Sequence, residues 1–340
     1  MASSQVEVPP APDHDASSGP LQAGHLISAY RIERLVGVGG MGWVYRARHE
    51  LNERCAALKI LREDQLACDR AIDRVMREAT ILASVPHPGL PRFYECGTLD
   101  DGRPWIAMEL VEGDALADRM QGGPLDADAV IDVVVHVADV LAAVHARQFT
   151  HRDLKPDNII LAPGDARFPI RVIDWGIALA GAGARFTNMN EAIGTPTYMA
   201  PEQARGNKTE ERTDVYGLGV VAYQALTGRA PFVGASAVEI LVQHLNRPPP
   251  ALAPRCPDAP YGLVELVEHM LAKDPEERPR AAEISARLGK LRAARQPPPY
   301  VRVAAEASNG VTVPVFEQTF EQTTTSPSTH MVPAWPDPED

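Results

Sequence analysis

The chain has 340 residues, 45% hydrophobic and 23% charged, with a formal net charge of −12. This is the composition of a folded globular protein and excludes disorder throughout. Acidity gathers at the ends, and no basic block is present to track a phosphate backbone, so nucleic-acid binding is not expected.

Residues 1–25, with three acidic and no basic side chains, read as a flexible tail. Residues 30–36 alternate apolar with polar, and 43–47 and 54–61 are short runs suited to a pleated surface. A helix over 66–85 would place Ile72, Val75, Met76, Ala79 and Leu82 on one side. Runs at 93–97 and 105–110 flank Asp101-Gly102, a hairpin signal. After Gly113 the pattern turns helical: Val130, Val133, Val134, Val137, Leu141 and Val144 keep the spacing of a buried face. A second hairpin is expected around Pro163-Gly164-Asp165, between 159–161 and 170–173, and from Pro201 the chain reads as helical to about 293. Residues 293–340 are rich in Pro and Thr, and the 297–340 part carries six acidic side chains and one Arg; they read as a second flexible tail. The fold class is therefore α+β: a small sheet-rich lobe over 26–112, then a larger helical lobe over 113–292.

Cys55, Cys68, Cys96 and Cys256 form no CxxC pair, which argues against a zinc or redox motif and for a reducing, cytoplasmic setting. The N-terminus lacks the charged and apolar regions of a signal peptide. Neither apolar segment suits a membrane span. Residues 130–146 are broken by Asp132, His136 and Asp139, and 215–226 is too short.

Three stretches carry chemistry. Gly37-Val38-Gly39-Gly40-Met41-Gly42 fits G-x-G-x-x-G, but a strand follows it where a dinucleotide site needs a helix, and no Lys-Ser/Thr completes a Walker A loop. A hairpin whose backbone can approach phosphates, or an ordinary Gly-rich turn, is left. Lys59 lies 17 residues beyond Gly42 and could either reach the surface or return an ammonium group beneath that loop; Glu78 on the next helix could hold it. The third stretch is His151-Arg152-Asp153-Leu154-Lys155-Pro156-Asp157-Asn158. Asp174-Trp175-Gly176 follows, then Gly194-Thr195-Pro196, Ala200-Pro201-Glu202, Asp214 and Arg278.

In this order the motifs resemble eukaryotic-type (Hanks-type) serine/threonine protein kinases, bacterial members above all, over roughly residues 30–292. The resemblance implies a two-lobed kinase fold and transfer of the γ-phosphate of ATP to Ser or Thr hydroxyls of protein substrates, the protein itself included. Gly37, Gly39 and Gly42, beside Val36 and Gly40, would cover the phosphates. Lys59, held by Glu78, would contact the α- and β-phosphates. Asn158 and Asp174 would ligate Mg²⁺, with Mn²⁺ as an alternative ion. Asp153 would accept the hydroxyl proton and Lys155 would neutralise γ-phosphate charge. Val44 and Ala57 above, Leu161 below, the gatekeeper Met108 and the backbone of Glu109 and Val111 would hold the adenine. Arg152 would pair with a phosphate on the segment 177–199, with Thr187 as the best-placed acceptor. Thr195 and Thr197 are weaker ones, Thr195 having a structural role near Asp153. Glu202 and Arg278 would form a buried ion pair. Trp175 stands where the family usually has Phe, and should pack against Leu82 and His151. Retention of every charged group argues against the alternative, a pseudokinase or signalling scaffold.

Overall fold

The computed structural model describes residues 19–39, 42–162, 164–165, 168–175 and 196–295. Strands β1 (Leu26–Ile27), β2 (Tyr30–Val38), β3 (Gly42–His49) and β4 (Cys55–Leu61) come first. Helix α1 (Asp69–Ser84), β5 (Phe93–Thr98) and β6 (Pro104–Glu109) complete an antiparallel sheet in the order β1-β2-β3-β4-β6-β5. β4 is buried along nearly its whole length because it is a central strand, between β3 and β6, and α1 packs on it. Lys59 is the polar residue in that run, so its ammonium must find partners inside.

Helix α1 begins at Asp69 and not at 66. Glu63–Gln65 form a separate 3₁₀ turn, and Cys68 is extended, which interrupts the helix. It stops at Ser84 because Pro86 disfavours helical geometry at Val85, which adopts φ −109° and ψ 98°. Met76, expected on the inner face, is 44% exposed, and the inward positions are Val75, Glu78, Ala79, Ile81 and Leu82. Apolar periodicity misplaced this position because the buried stripe includes a carboxylate.

The Asp101-Gly102 hairpin forms as expected: Gly102 takes φ +90° and donates to the Leu99 carbonyl. A second small sheet, β7 (Asp114–Ala115), β8 (Ile159–Leu161) and β9 (Ile170–Val172), is antiparallel in the order β7-β8-β9. Gly113, at φ +151°, admits no side chain, since a Cβ would fall 2.1 Å from the Leu161 carbonyl oxygen. The other helices are α2 (Leu116–Met120), α3 (Ala127–His145), α4 (Pro201–Ala204), α5 (Glu211–Thr227), α6 (Ala237–Asn246), α7 (Tyr261–Met270) and α8 (Ala281–Arg295).

α3 starts where the Asp126 side chain accepts from the Ala129 N–H, and its valine face is fully buried. α5 is buried on all sides from Thr213 to Tyr223 and ends at Gly228 in the left-handed region. Each fully buried Val or Leu here contributes roughly 1.5–3 kcal/mol, so this central helix is a rigid base for the loops on it. Among the described residues, no helix is long and apolar enough to cross a membrane.

Candidate active site

The site lies where β4, α1 and two loops of the helical lobe meet. Lys59 Nζ donates to Glu78 Oε2 at 2.7 Å and to Asp174 Oδ1 at 2.6 Å. Burial alone would lower the ammonium pKa, but the two carboxylates outweigh it and the group is raised above its ordinary value. Burial pushes the Glu78 carboxyl up, and the Lys59 ammonium at 2.7 Å opposes that shift. Asp174 is held below the usual carboxylate range, chiefly by Lys59. Glu78 is 2% exposed, whereas the Asp174 side chain is 40% exposed and keeps room for another ligand.

The loop 151–158 is built against buried Asp214. This carboxylate accepts from the backbone N–H of His151 (2.9 Å) and of Arg152 (2.7 Å), and from His145 Nε2 (2.7 Å). Burial would raise it, but these donors, His145 first, hold it below its ordinary value. Arg152 sits at φ +67°, which costs an L-residue roughly 1–2 kcal/mol. Two hydrogen bonds to a charged acceptor, about 1.5–3 kcal/mol each, exceed that cost and explain why the turn persists. His151 then links the loops: its Nδ1 accepts from the Asp153 N–H and its Nε2 donates to the Ile173 carbonyl, 3.0 Å away. Its ring lies 4.6 Å from that of Trp175, which is 1% exposed and shares a buried cluster with Leu82. The larger ring is accommodated, and its Nε1 donates to the Val172 carbonyl.

Lys155 Nζ lies 3.1 Å from Asp153 Oδ2, and Asn158 Nδ2 donates to the Asp153 carbonyl. With its N–H so committed, Asn158 offers its amide oxygen. Together with Asp174 it supplies two oxygen donors, and the described residues contain no cluster of three His, Cys, Asp or Glu able to cage an ion. Such a sparse set fits a divalent metal ion that takes one or two protein oxygens and completes its shell with phosphate and water.

The expected adenine walls come together. Ala57 and Met108 belong to the main core cluster, and half-buried Val44 and Leu161 pack on it. Val111 is half-buried at the end of this wall. The Glu109 N–H is taken by the Arg92 carbonyl at 2.8 Å, so any contact from Glu109 to a ring must use its carbonyl. Val36 is 38% exposed beside Gly37, which pairs with Val44 across β2 and β3. Gly39 donates its N–H to the Gly42 carbonyl, and Gly42 is required by close packing, since a Cβ would lie 2.6 Å from the Ile60 carbonyl oxygen. Gly40, Gly176, Thr187, Thr195, most of both tails and the rest of 177–195 lie outside the described residues.

Glu202 and Arg278 form a bidentate buried pair at 2.7 and 2.9 Å, and Thr213 Oγ1 donates to the same carboxylate. Three participants went unassigned in the sequence. His145 lies 69 residues from Asp214, Gln203 Nε2 donates to the Arg152 carbonyl, and Arg77 lies close enough to lower the Arg152 pKa after burial. Arg77 was the findable one, since it adjoins Glu78 on the face that meets the loop.

The model of the protein kinase domain family matches residues 30–287. The chain belongs to that family. This kinase domain is 38% identical over 263 residues to the serine/threonine-protein kinase pkn3 of Myxococcus xanthus, covering 75% of this chain and 48% of that protein. It is 37% identical to the serine/threonine-protein kinase PrkC of Bacillus subtilis, covering 75% of this chain and 39% of PrkC. With the serine/threonine-protein kinase PknA of Mycobacterium tuberculosis it shares 35%, covering 80% and 63%. The chain thus spans between about two-fifths and two-thirds of the length of these relatives. A crystal structure of the Mycobacterium tuberculosis PknI kinase domain, in a mutant form, superposes with a TM-score of 0.62 at 26% identity, over 81% of this chain and 100% of that one. Family membership carries ATP and a divalent metal ion with it.

Proposed function

We propose that the protein is a serine/threonine protein kinase that transfers the γ-phosphoryl group of Mg-ATP to Ser or Thr hydroxyls of protein substrates. The observation that carries this reading is the Lys59 ammonium held between Glu78 and Asp174, beside the Asp153–Lys155 pair. Phosphoryl transfer needs alignment and neutralisation of charge on the peripheral oxygens more than covalent help from the protein. Lys59 supplies a fixed cation for the α- and β-phosphates. Asp174 and Asn158 would hold the metal ion, whose chemistry is to neutralise charge on the phosphate oxygens. Asp153 accepts the proton of the substrate hydroxyl, whose oxygen bonds to the γ-phosphorus as the bond to the β-phosphate oxygen breaks and ADP departs. Lys155 balances charge on the moving group. Positioned bases of this kind contribute about 10²–10⁴ in rate.

The domain is read as 26–292 with a tail on either side, in a cytoplasmic setting. Autophosphorylation at Thr187 is part of the proposal. Its support is a cationic pocket: Arg152 is half-buried and Arg77 lies beside it. Arg152 Nη1 and Arg77 Nε are both buried with no hydrogen-bond partner among the described residues. A phosphate would satisfy both. The test is incubation with γ-labelled ATP and Mg²⁺ or Mn²⁺, followed by peptide mass spectrometry. Label on Ser or Thr, with Thr187 modified, is the expected result; no label on the protein or on a basic protein substrate would favour the scaffold.

A further inference from the structure

The peptide group that joins Arg152 to Asp153 is gripped at both of its polar atoms. Its carbonyl, on Arg152, accepts from Gln203 Nε2 at 2.8 Å, and its N–H, on Asp153, donates to His151 Nδ1 at 3.3 Å. The peptide before it is held separately, through the Arg152 N–H on Asp214. Arg152 stands between the two at φ +67°, a strained conformation that rotation of either flanking peptide would relieve. Asp214 restrains the first of them. On the second, which leads into the Asp153 Cα, the shorter restraint is the one from Gln203, and it reaches in from another part of the chain.

The Gln203 amide can face only one way. Its Oε1 accepts from the Ala200 N–H at 3.0 Å, so a flip would set an oxygen against the Arg152 carbonyl and an NH₂ against an N–H. Its footing is firm as well: the neighbours Glu202 and Ala204 are buried, and Glu202 is the carboxylate paired with Arg278. The amide thus carries a position fixed by Arg278 across to the loop that holds Asp153. We propose that Gln203 is a positioning residue for Asp153: by locking the Arg152–Asp153 peptide it keeps the carboxylate in place for the acceptor hydroxyl, and so sets the rate of transfer without affecting nucleotide binding. This rests on the kinase reading above. Gln203 acts through the main chain of Arg152, and a reacting group displaced by about 1 Å can cost about a hundredfold in rate.

The simpler role, capping the turn at α4 through the Ala200 N–H, uses the other end of the same amide, and substitution separates the two ends. Single-turnover transfer from saturating Mg-ATP to myelin basic protein is measured on the full chain, with ATP affinity by calorimetry and a thermal melt on the same samples. Gln203→Glu keeps an oxygen for the Ala200 N–H but has no hydrogen for the Arg152 carbonyl. It should slow transfer about tenfold, the scale of one acceptor left without its donor, with ATP affinity and melting temperature close to those of the parent. Gln203→Met, which loses both ends at similar volume, should be slowed at least as much. No transfer by the parent overturns the kinase reading and this proposal together. Transfer by the parent with Gln203→Glu at the parent rate, or slowed only in step with weaker ATP binding or a lost melting transition, overturns this proposal alone.

Discussion

Asp174 and Asp214 are both held ionised below their ordinary range, yet their surroundings oppose each other. Asp214 is 1% exposed and takes three donors from its own chain, so its hydrogen-bonding capacity is consumed by architecture. Asp174, at a left-handed φ of +62°, shares Lys59 with Glu78 and keeps a 40% exposed side chain. A carboxylate satisfied by its own fold builds the loop. One left partly unsatisfied, beside a fixed cation, is ready for a ligand the fold does not supply.

The largest effect expected from breaking this contrast is on activity at the open carboxylate. Asp174→Ala and Lys59→Met should each lower phosphoryl transfer by at least about a thousandfold, the scale of a lost electrostatic contact at the reacting group, with the melting temperature little changed in Asp174→Ala but lowered in Lys59→Met, which leaves buried Glu78 without its cation. Steady-state transfer and a thermal melt check this together, and wild-type turnover in either variant would contradict the assignment. At the satisfied carboxylate the order reverses. Asp214→Ala leaves two backbone N–H groups and His145 unpaired in the core and should destabilise by about 3–5 kcal/mol, read by denaturant unfolding.

The buried pair Glu202–Arg278 sharpens the comparison through pH. Burial would raise the Glu202 carboxyl, but Arg278 outweighs it and lowers the group, as the His145-led donors do at Asp214. A carboxylate lowered by folding adds stability that is full above its unfolded value and is lost as pH falls through the folded one. Melting temperature should therefore hold near neutrality and drop below the ordinary carboxylate values of 3.8 for Asp214 and 4.5 for Glu202. Glu202→Gln should flatten that acid limb while lowering stability at pH 7. The smallest effect belongs to exposed pairs: Arg31→Ala, which removes the surface contact to Glu50, should cost below about 1 kcal/mol and fade in salt.

The strands of the first lobe, the valine face of α3 and the loop His151–Asn158 were legible because periodicity and motif spacing are local signals. Lys59 and Asp174 were legible as types, but their 2.6 Å contact joins residues 115 apart and required the fold. Met76 was misjudged because apolar periodicity cannot say which flank of a stripe meets the core when Glu78 occupies part of it. His145 gave no signal, since a lone His on an apolar helix looks the same whether it caps a carboxylate or only fills space. The hydrogen bond from Gly39 to Gly42 was likewise hidden, because glycine spacing shows freedom of the backbone and not where its N–H points.

The central claim is that Lys59, Asp174 and Asn158 converge on a metal-bound triphosphate. Calorimetric titration of ATP with and without Mg²⁺, run on the parent and on Asp174→Asn, tests it most directly. The parent should bind ATP more tightly with Mg²⁺ than without, and Asp174→Asn should lose that gain while still binding the nucleotide. An undiminished Mg²⁺ gain in Asp174→Asn would contradict the account.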